Sequence, residues 1–379
     1  MDDQDLQERL ATAWRGCDRI FSGVRPRTLR DRIAELAGPE VEAAYDLGEP
    51  TDMYGNGVVA ALEKRVAGLL GTEAAAFFPT GTMAQQVALR CWSERTGNPI
   101  VAMHPLAHPE VHERLAYSWL SGLRSVRTNA EPRQPTADEI RGIAEPFGTL
   151  MLELPLRDAG FLLPEWDELV EVVGAARERD AVVHFDGARL WESVDRLGHE
   201  LPEIAALADS VYVSFYKTLG GISGAALAGS EELIGQAKTW RHRYGGQLFE
   251  QWPAALAALA GIERELPRLG SYVARARVAA EVFGEVLAAE GLPFGGVWPS
   301  VPHTHQFRLW LPFAAERLQA AALRLVEKTG VGFVRGWRDG GLPGVSAFAE
   351  VTLAAPGAEW SREEIAETFQ SFLAQAREG

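Results

Sequence analysis

Three short stretches of this 379-residue chain carry side chains whose types and order could do covalent chemistry. In Ser214-Phe215-Tyr216-Lys217-Thr218-Leu219-Gly220-Gly221 a lysine directly follows an apolar run and precedes a glycine turn. Burial and neighbouring cations lower a lysine's pKa, and a neutral amine can attack an aldehyde to form a Schiff base; a lysine snorkelling at a strand edge would look the same locally. In His184-Phe185-Asp186-Gly187-Ala188-Arg189 an aspartate could pair with a cationic ring nitrogen, and the arginine three positions on could clamp a carboxylate. That aspartate could equally cap a following helix. In Phe78-Pro79-Thr80-Gly81-Thr82-Met83-Ala84-Gln85 small hydroxyl residues sit where a strand turns into a helix, so backbone N–H groups can face an anion such as phosphate. A plain N-cap at Thr80 or Thr82 is the simpler reading of the same residues. The stretch is neither a Walker A sequence nor G-x-G-x-x-G.

The elements that must position these residues alternate. Apolar residues at 3- and 4-residue spacing (Val58, Val59, Leu62, Val66, Leu69, Leu70) predict a helix over 56–70 that Gly71 ends. Strands are expected at 74–78, 99–103, 149–154, 181–185, 210–215 and 225–228. Helices are expected at 83–92, 110–120, 166–179, 201–208 and 231–243. Strands separated by helical patterns indicate an α/β fold with a largely parallel sheet, and ligands of such sheets bind beyond the strands' C-terminal ends. A long alanine-rich helix over 254–290 leads to strands at 306–311, 331–334 and 348–353, helices at 314–329 and from 361, and hence a smaller α+β domain. The expected division is an N-terminal helical segment without a strong core, 1–50, a large domain, 51–260, and a connecting helix with a small domain, 261–379.

Composition narrows the partners. Arginine and lysine number 37 against 52 acidic residues, a formal charge of −15. That repels polyanions and anionic membrane surfaces, so neither nucleic acid nor membrane is expected. Two cysteines, Cys17 and Cys91, exclude a disulfide scaffold. The acidic start lacks a basic signal-peptide n-region, and the expectation is a cytoplasmic protein. His104, His108 and His112 are spaced by four, but Pro105 and Pro109 interrupt any shared helix face, so no metal is expected.

A phosphate cradle, a partner for a cationic ring nitrogen and an amine nucleophile are what pyridoxal 5′-phosphate (PLP) requires. In that order they resemble fold-type-I PLP enzymes. The wording is closest to the threonine aldolase / β-eliminating lyase family, through Asp52-Met53-Tyr54-Gly55, residues 77–86, Ser121-Gly122, the 184–189 stretch, 209–217 and a basic segment over 241–246. The resemblance implies a mostly parallel seven-stranded sheet in the large domain, PLP as cofactor, and a homodimer or homotetramer, with Tyr54 and 241–246 as candidates to cross the interface. It implies Lys217 as the PLP-linked lysine, Asp186 facing the pyridine nitrogen, Gly81 and Thr82 at the phosphate, and Arg189 at the cofactor or a substrate carboxylate. His108 would stack on the ring, with Glu113 beside it. The implied reaction is retro-aldol cleavage of a β-hydroxy-α-amino acid to glycine and an aldehyde; β-elimination, racemisation, transaldolation and a non-catalytic PLP-binding protein stay open.

The chain departs from the family where substrate is met. The family's Glu-x-x-His stretch reads Glu153-Leu154-Pro155-Leu156, placing leucine where a histidine would contact the substrate hydroxyl. Ile20 replaces a serine, Glu350 a carboxylate-binding arginine, His242 stands for a basic residue and Phe249 for an arginine. Leu156, Arg157, Arg189 and Glu350 are therefore the expected substrate contacts, with Arg308, Arg335 and Arg338 as further cations.

Overall fold

In the computed structural model, residues 3–292, 294–341 and 344–378 are described. The chain forms two compact units, one of Arg30–Pro267 and one of Met1–Leu29 with Arg268–Gly379.

The larger unit is built on a seven-stranded sheet. Its strands are β1 (Ala74–Phe78), β2 (Ile100–Met103), β3 (Arg124–Arg127), β4 (Thr149–Glu153), β5 (Val182–Gly187), β6 (Ser210–Ser214) and β7 (Ala225–Gly229), in the order β1-β7-β6-β5-β4-β2-β3. Only β7 runs against its neighbours. The other six therefore end on one edge, with residues beyond their C-terminal ends brought together there. Every residue of β2, β4, β6 and β7 is buried, which explains the unbroken apolar runs in the sequence. β3 (Arg-Ser-Val-Arg), at the edge opposite β1, is too short and too charged to show an apolar pattern.

Helix α1 (Gly57–Leu70) ends at Gly71 in the left-handed conformation, as its sequence predicts. Helix α2 (Gly81–Thr96) starts directly after β1 and also ends at a left-handed glycine, Gly97. The expected helix over 110–120 is two short turns, His108–Val111 and Ala116–Ser121, because Arg114 and Leu115 take positive φ between them. The expected long helix over 254–290 is likewise two, Trp252–Glu265 and α3 (Leu269–Ala289). Pro267 lies in the break, without the N–H a continuous helix needs, and the two units divide after it.

The second unit contains a four-stranded antiparallel sheet of β8 (Gly296–Trp298), β9 (Gln306–Leu311), β10 (Arg338–Asp339) and β11 (Ala347–Thr352), in the order β10-β11-β9-β8. Residues 331–332 pair instead with Arg19–Ile20 in a separate parallel ribbon. The N-terminal helix, Asp3–Arg15, is not weakly cored. Leu6, Leu10 and Trp14, four apart, lie buried in this unit's core, as does Ile20.

Candidate active site

The site is assembled from the common C-terminal edge of the large sheet. At the end of β1, Thr80 caps α2 by accepting a hydrogen bond from Met83 N (3.2 Å). Gly81 follows with its Cα against Tyr212, and a Cβ there would run into the tyrosine hydroxyl. Glycine thus lets the tyrosine approach the start of α2, and Thr80, Gly81 and Thr82 there line a cavity of about 240 Å³ together with His108, Tyr212, Tyr216 and Ser223.

At the end of β5, Asp186 is buried and accepts from Ala188 N (3.2 Å). In the parallel register it lies between Glu153 of β4 and Tyr212 of β6. Ser214 Oγ donates to Ala188 O (2.8 Å) and Trp191 Nε1 donates to Ser214 O (3.0 Å), so the turn carrying Arg189 is tied to β6. The Arg189 guanidinium lies over the buried Phe161 ring, 5.4 Å from its centroid. Thr218 Oγ1, next to Lys217, donates to Glu192 (3.1 Å), and the same carboxylate oxygen is 4.0 Å from Arg189 Nε.

Lys217 lies three residues past β6. Burial, then the Arg189 guanidinium, pushes its amine down to about 8 against the opposing pull of Asp186 and Glu153. A substantial fraction is therefore neutral near physiological pH, which a nucleophilic amine needs.

His108 enters from the loop after β2. Its Nδ1–H donates to Glu113 Oε1 (3.1 Å), and Gln86 Nε2 donates to the other oxygen of Glu113 (2.9 Å). The break between the two short helices thus turns Glu113 inward to hold this ring. Burial alone would lower the imidazole pKa, but Glu113 and the charge of Asp186 outweigh it, and His108 titrates above the ordinary histidine value.

The other expected residues fall into two groups. Arg157 is beside the site, and its charge acts on Lys217. Leu156 is fully buried, packed with Ala159, Leu162 and Leu106, with its backbone paired to Leu162. Glu350 belongs to the other unit, where it lies across the sheet from Arg308, 3.9 Å between charged atoms. Arg241 is buried within its own chain, donating to Phe77 O (2.6 Å) and Glu63 (3.1 Å). His242 pairs with Gln247, and Phe249 meets Tyr54 edge-on at 5.4 Å.

The three spaced histidines have separate partners. His104 uses both ring nitrogens on backbone, Glu131 O and Leu106 N. His112 bonds Asp158. Among the described residues no group of three or more histidine, cysteine or acidic side chains could hold a metal ion. His184 is structural: Nε2–H donates to Gln85 Oε1 and Nδ1 accepts from Ser210 Oγ, both at 2.7 Å, and Ser210 accepts from Trp92 Nε1.

Tyr212 and Glu192 lie among the candidate site residues without being singled out by sequence reasoning, and Glu153 enters that reasoning only as the start of the Glu-x-x-His stretch, with no role of its own.

The donor set fits PLP. A helix N-terminus bordering the cavity suits its phosphate, a buried carboxylate suits its ring nitrogen, and an amine of lowered pKa suits its aldehyde.

Comparison with known proteins agrees with this geometry. The profile of the family described as "Beta-eliminating lyase" matches residues 40–290. The low specificity L-threonine aldolase of Escherichia coli strain K12 is 33% identical over 246 residues, 63% of this chain and 73% of that protein. A Listeria monocytogenes EGD-E protein assigned as an L-allo-threonine aldolase superposes with a TM-score of 0.87 at 32% identity, covering 98% of this chain and 99% of that one. The serine palmitoyltransferase of Sphingomonas wittichii, at 18% identity and a TM-score of 0.65 over 99% of this chain and 97% of that one, shares the fold-type-I architecture. The chain therefore belongs to the β-eliminating lyase family.

Proposed function

We propose that this protein is a PLP-dependent aldehyde-lyase that breaks the Cα–Cβ bond of a β-hydroxy-α-amino acid, giving glycine and an aldehyde. The observation that carries the reading is the convergence, on one sheet edge, of an amine lowered to about 8, a buried carboxylate and a helix N-terminus that borders the cavity. The kinship with threonine aldolases supports the choice of bond.

Thr80–Thr82 would hold the phosphate of PLP, Asp186 its ring nitrogen and Lys217 its aldehyde, and the bound cofactor would supply an electron sink for the reaction at Cα. The remaining work falls to side chains. Asp186 keeps the ring nitrogen protonated, its own position fixed by Ala188 N. His108 is aligned by Glu113 and keeps Nε2 for proton exchange, so it is placed to take the proton of the substrate's β-hydroxyl as the carbonyl forms. Lys217 returns a proton to Cα, completing glycine. Arg189 and Arg157 hold the substrate carboxylate. Leu156, where the resemblance leads one to expect a histidine, is buried among Ala159, Leu162 and Leu106 and offers no proton-transfer group, and this observation favours, as a second reading, another PLP reaction on a related amino acid, β-elimination, racemisation or transaldolation.

A homodimer or homotetramer is part of the proposal. Met53, Tyr54, Leu248 and Phe249 are exposed apolar side chains around the 52–56 and 247–251 loops. A cytoplasmic location is also proposed; among the described residues no helix is long and apolar enough to cross a membrane.

Borohydride reduction of the PLP-loaded protein followed by peptide mapping tests the cofactor assignment, with label expected on Lys217. Assays with threonine, allo-threonine and phenylserine test the reaction. Labelled Lys217 without aldehyde from any of the three would move the assignment to the second reading.

A further inference from the structure

Glu153 is a buried carboxylate with unfavourable surroundings. It closes β4, stands opposite Asp186 in the parallel register, and is pushed up to about 7 by burial and by the charge of Asp186. Two acidic groups side by side at a sheet edge weaken the fold unless both oxygens find donors. They do, and both donors are backbone amides of site loops. Oε2 accepts from His108 N at 2.7 Å, 45 positions upstream, and Oε1 accepts from Arg157 N at 3.2 Å, four positions downstream. Gln134 adds a third loop, its Nε2 donating to Glu153 O (2.7 Å) and Leu162 O (3.3 Å).

We propose that Glu153 is a positioning residue: its side chain bridges the loop that presents His108 and the loop that presents Arg157, and sets the distance between them. The inference rests on the reading of those two residues as site residues. His108 is then fixed from two sides, ring by Glu113 and backbone by Glu153. Only a carboxylate can do this. A glutamine offers one acceptor and turns its NH₂ toward the other amide, and a leucine offers none. The groups facing Glu153 are Asp186 from β5, Lys217 from the loop after β6, and His108 and Arg157 from the bridged loops. Charge on Glu153 raises the Lys217 pKa, so its loss should lower it further.

The test is Glu153→Gln in the full chain, compared with the unaltered protein by hydrogen exchange with and without PLP. Amide exchange at His108 and at Arg157 should both accelerate about tenfold, as expected when a hydrogen bond to a charged group is lost, while β7 stays protected. In the loaded enzyme kcat should fall about tenfold to a hundredfold, with KM for the amino acid less affected. Unchanged exchange at either amide overturns the bridge. If the variant does not fold, Glu153→Asp decides in its place: it keeps two acceptor oxygens on a stem too short to span both loops, so exchange at one amide or both should accelerate, and unchanged exchange at both refutes the bridge. These readouts need no turnover, so they separate a wrong bridge from a wrong assignment of Lys217.

Discussion

The two units use their interiors differently. In the larger unit the chain buries Glu153 and Asp186 at the C-terminal edge of the sheet, His184 inside β5 and Arg241 beside Glu63, and keeps residues small where backbones must approach, as at Gly81 and along β7, Ala-Ala-Leu-Ala-Gly. The unit of residues 1–29 and 268–379 packs aromatics instead. Phe283 has ring neighbours Phe21, Phe307, Phe333 and Phe369 at 4.6–6.0 Å, and Trp337 and Trp360 complete the cluster. Buried charge weakens a fold and buried aromatic area strengthens it, so chemistry belongs to the first interior and stability to the second.

Crossed substitutions would break that contrast if it is wrong. Lys217→Ala should lower aldehyde release by about 10⁴-fold, ~5.5 kcal/mol in the barrier. It should leave unfolding free energy unchanged or slightly raised, because it removes an amine held in unfavourable surroundings. A variant that unfolds readily would mean the lysine is structural.

Phe283→Ala should do the reverse. The side chain is fully buried, and its truncation should cost about 4 kcal/mol of stability. Urea unfolding measures this, and turnover per folded molecule should be kept. A variant with intact stability would show that the aromatic cluster repacks freely.

A third comparison lies inside the large unit. His184 is fully buried between Gln85 and Ser210, and burial pushes its pKa from 6.5 down to about 4. The unfolded chain therefore binds the proton more readily between those values, and stability rises with pH across that window. Acidification from pH 6.5 to 4 should remove up to about 3 kcal/mol through this residue. Glu153, whose pKa is raised, acts in the opposite sense. Subtracting the stability curve of His184→Gln from that of the unaltered protein isolates the histidine. A flat difference would mean that the ring stays protonated in the fold.

What the sequence reveals follows the same division. Repeating patterns are legible: the apolar spacing of α1, the runs of β4 and β6, and the glycine stop at Gly71 are local facts with one structural solution. Lys217, Asp186 and Gly81 are expected together because each lies at or just past a strand's end, and parallel strands gather their ends. The break at Arg114 and Leu115 is not, since neither residue marks a left-handed turn; Glu113 facing inward to His108 decides it. Nor is β3, whose charges suit a sheet edge as well as a loop. The N-terminal helix reads as weakly cored because the helix it packs on, Ala315–Thr329, lies about 300 positions away. Leu156 shows the limit most clearly. Its type marks a missing histidine, but only the fold shows it packed under a loop with Ala159 and Leu162.

Thr80 belongs to both categories and separates them most finely. Its hydroxyl caps α2 through Met83 N, a stabilising role, and its backbone borders the cavity where phosphate is proposed to bind. Loss of the cap in Thr80→Ala should cost about 1 kcal/mol, measurable as a small shift in the urea midpoint. It should also weaken PLP retention modestly, because a frayed first turn presents its N–H groups less rigidly to an anion. Thr80→Ser keeps the acceptor and should restore both. Restored stability with PLP retention still impaired would show that the threonine methyl, not the cap, shapes the cradle, and the contrast between stabilising and chemical residues would then hold even within one side chain.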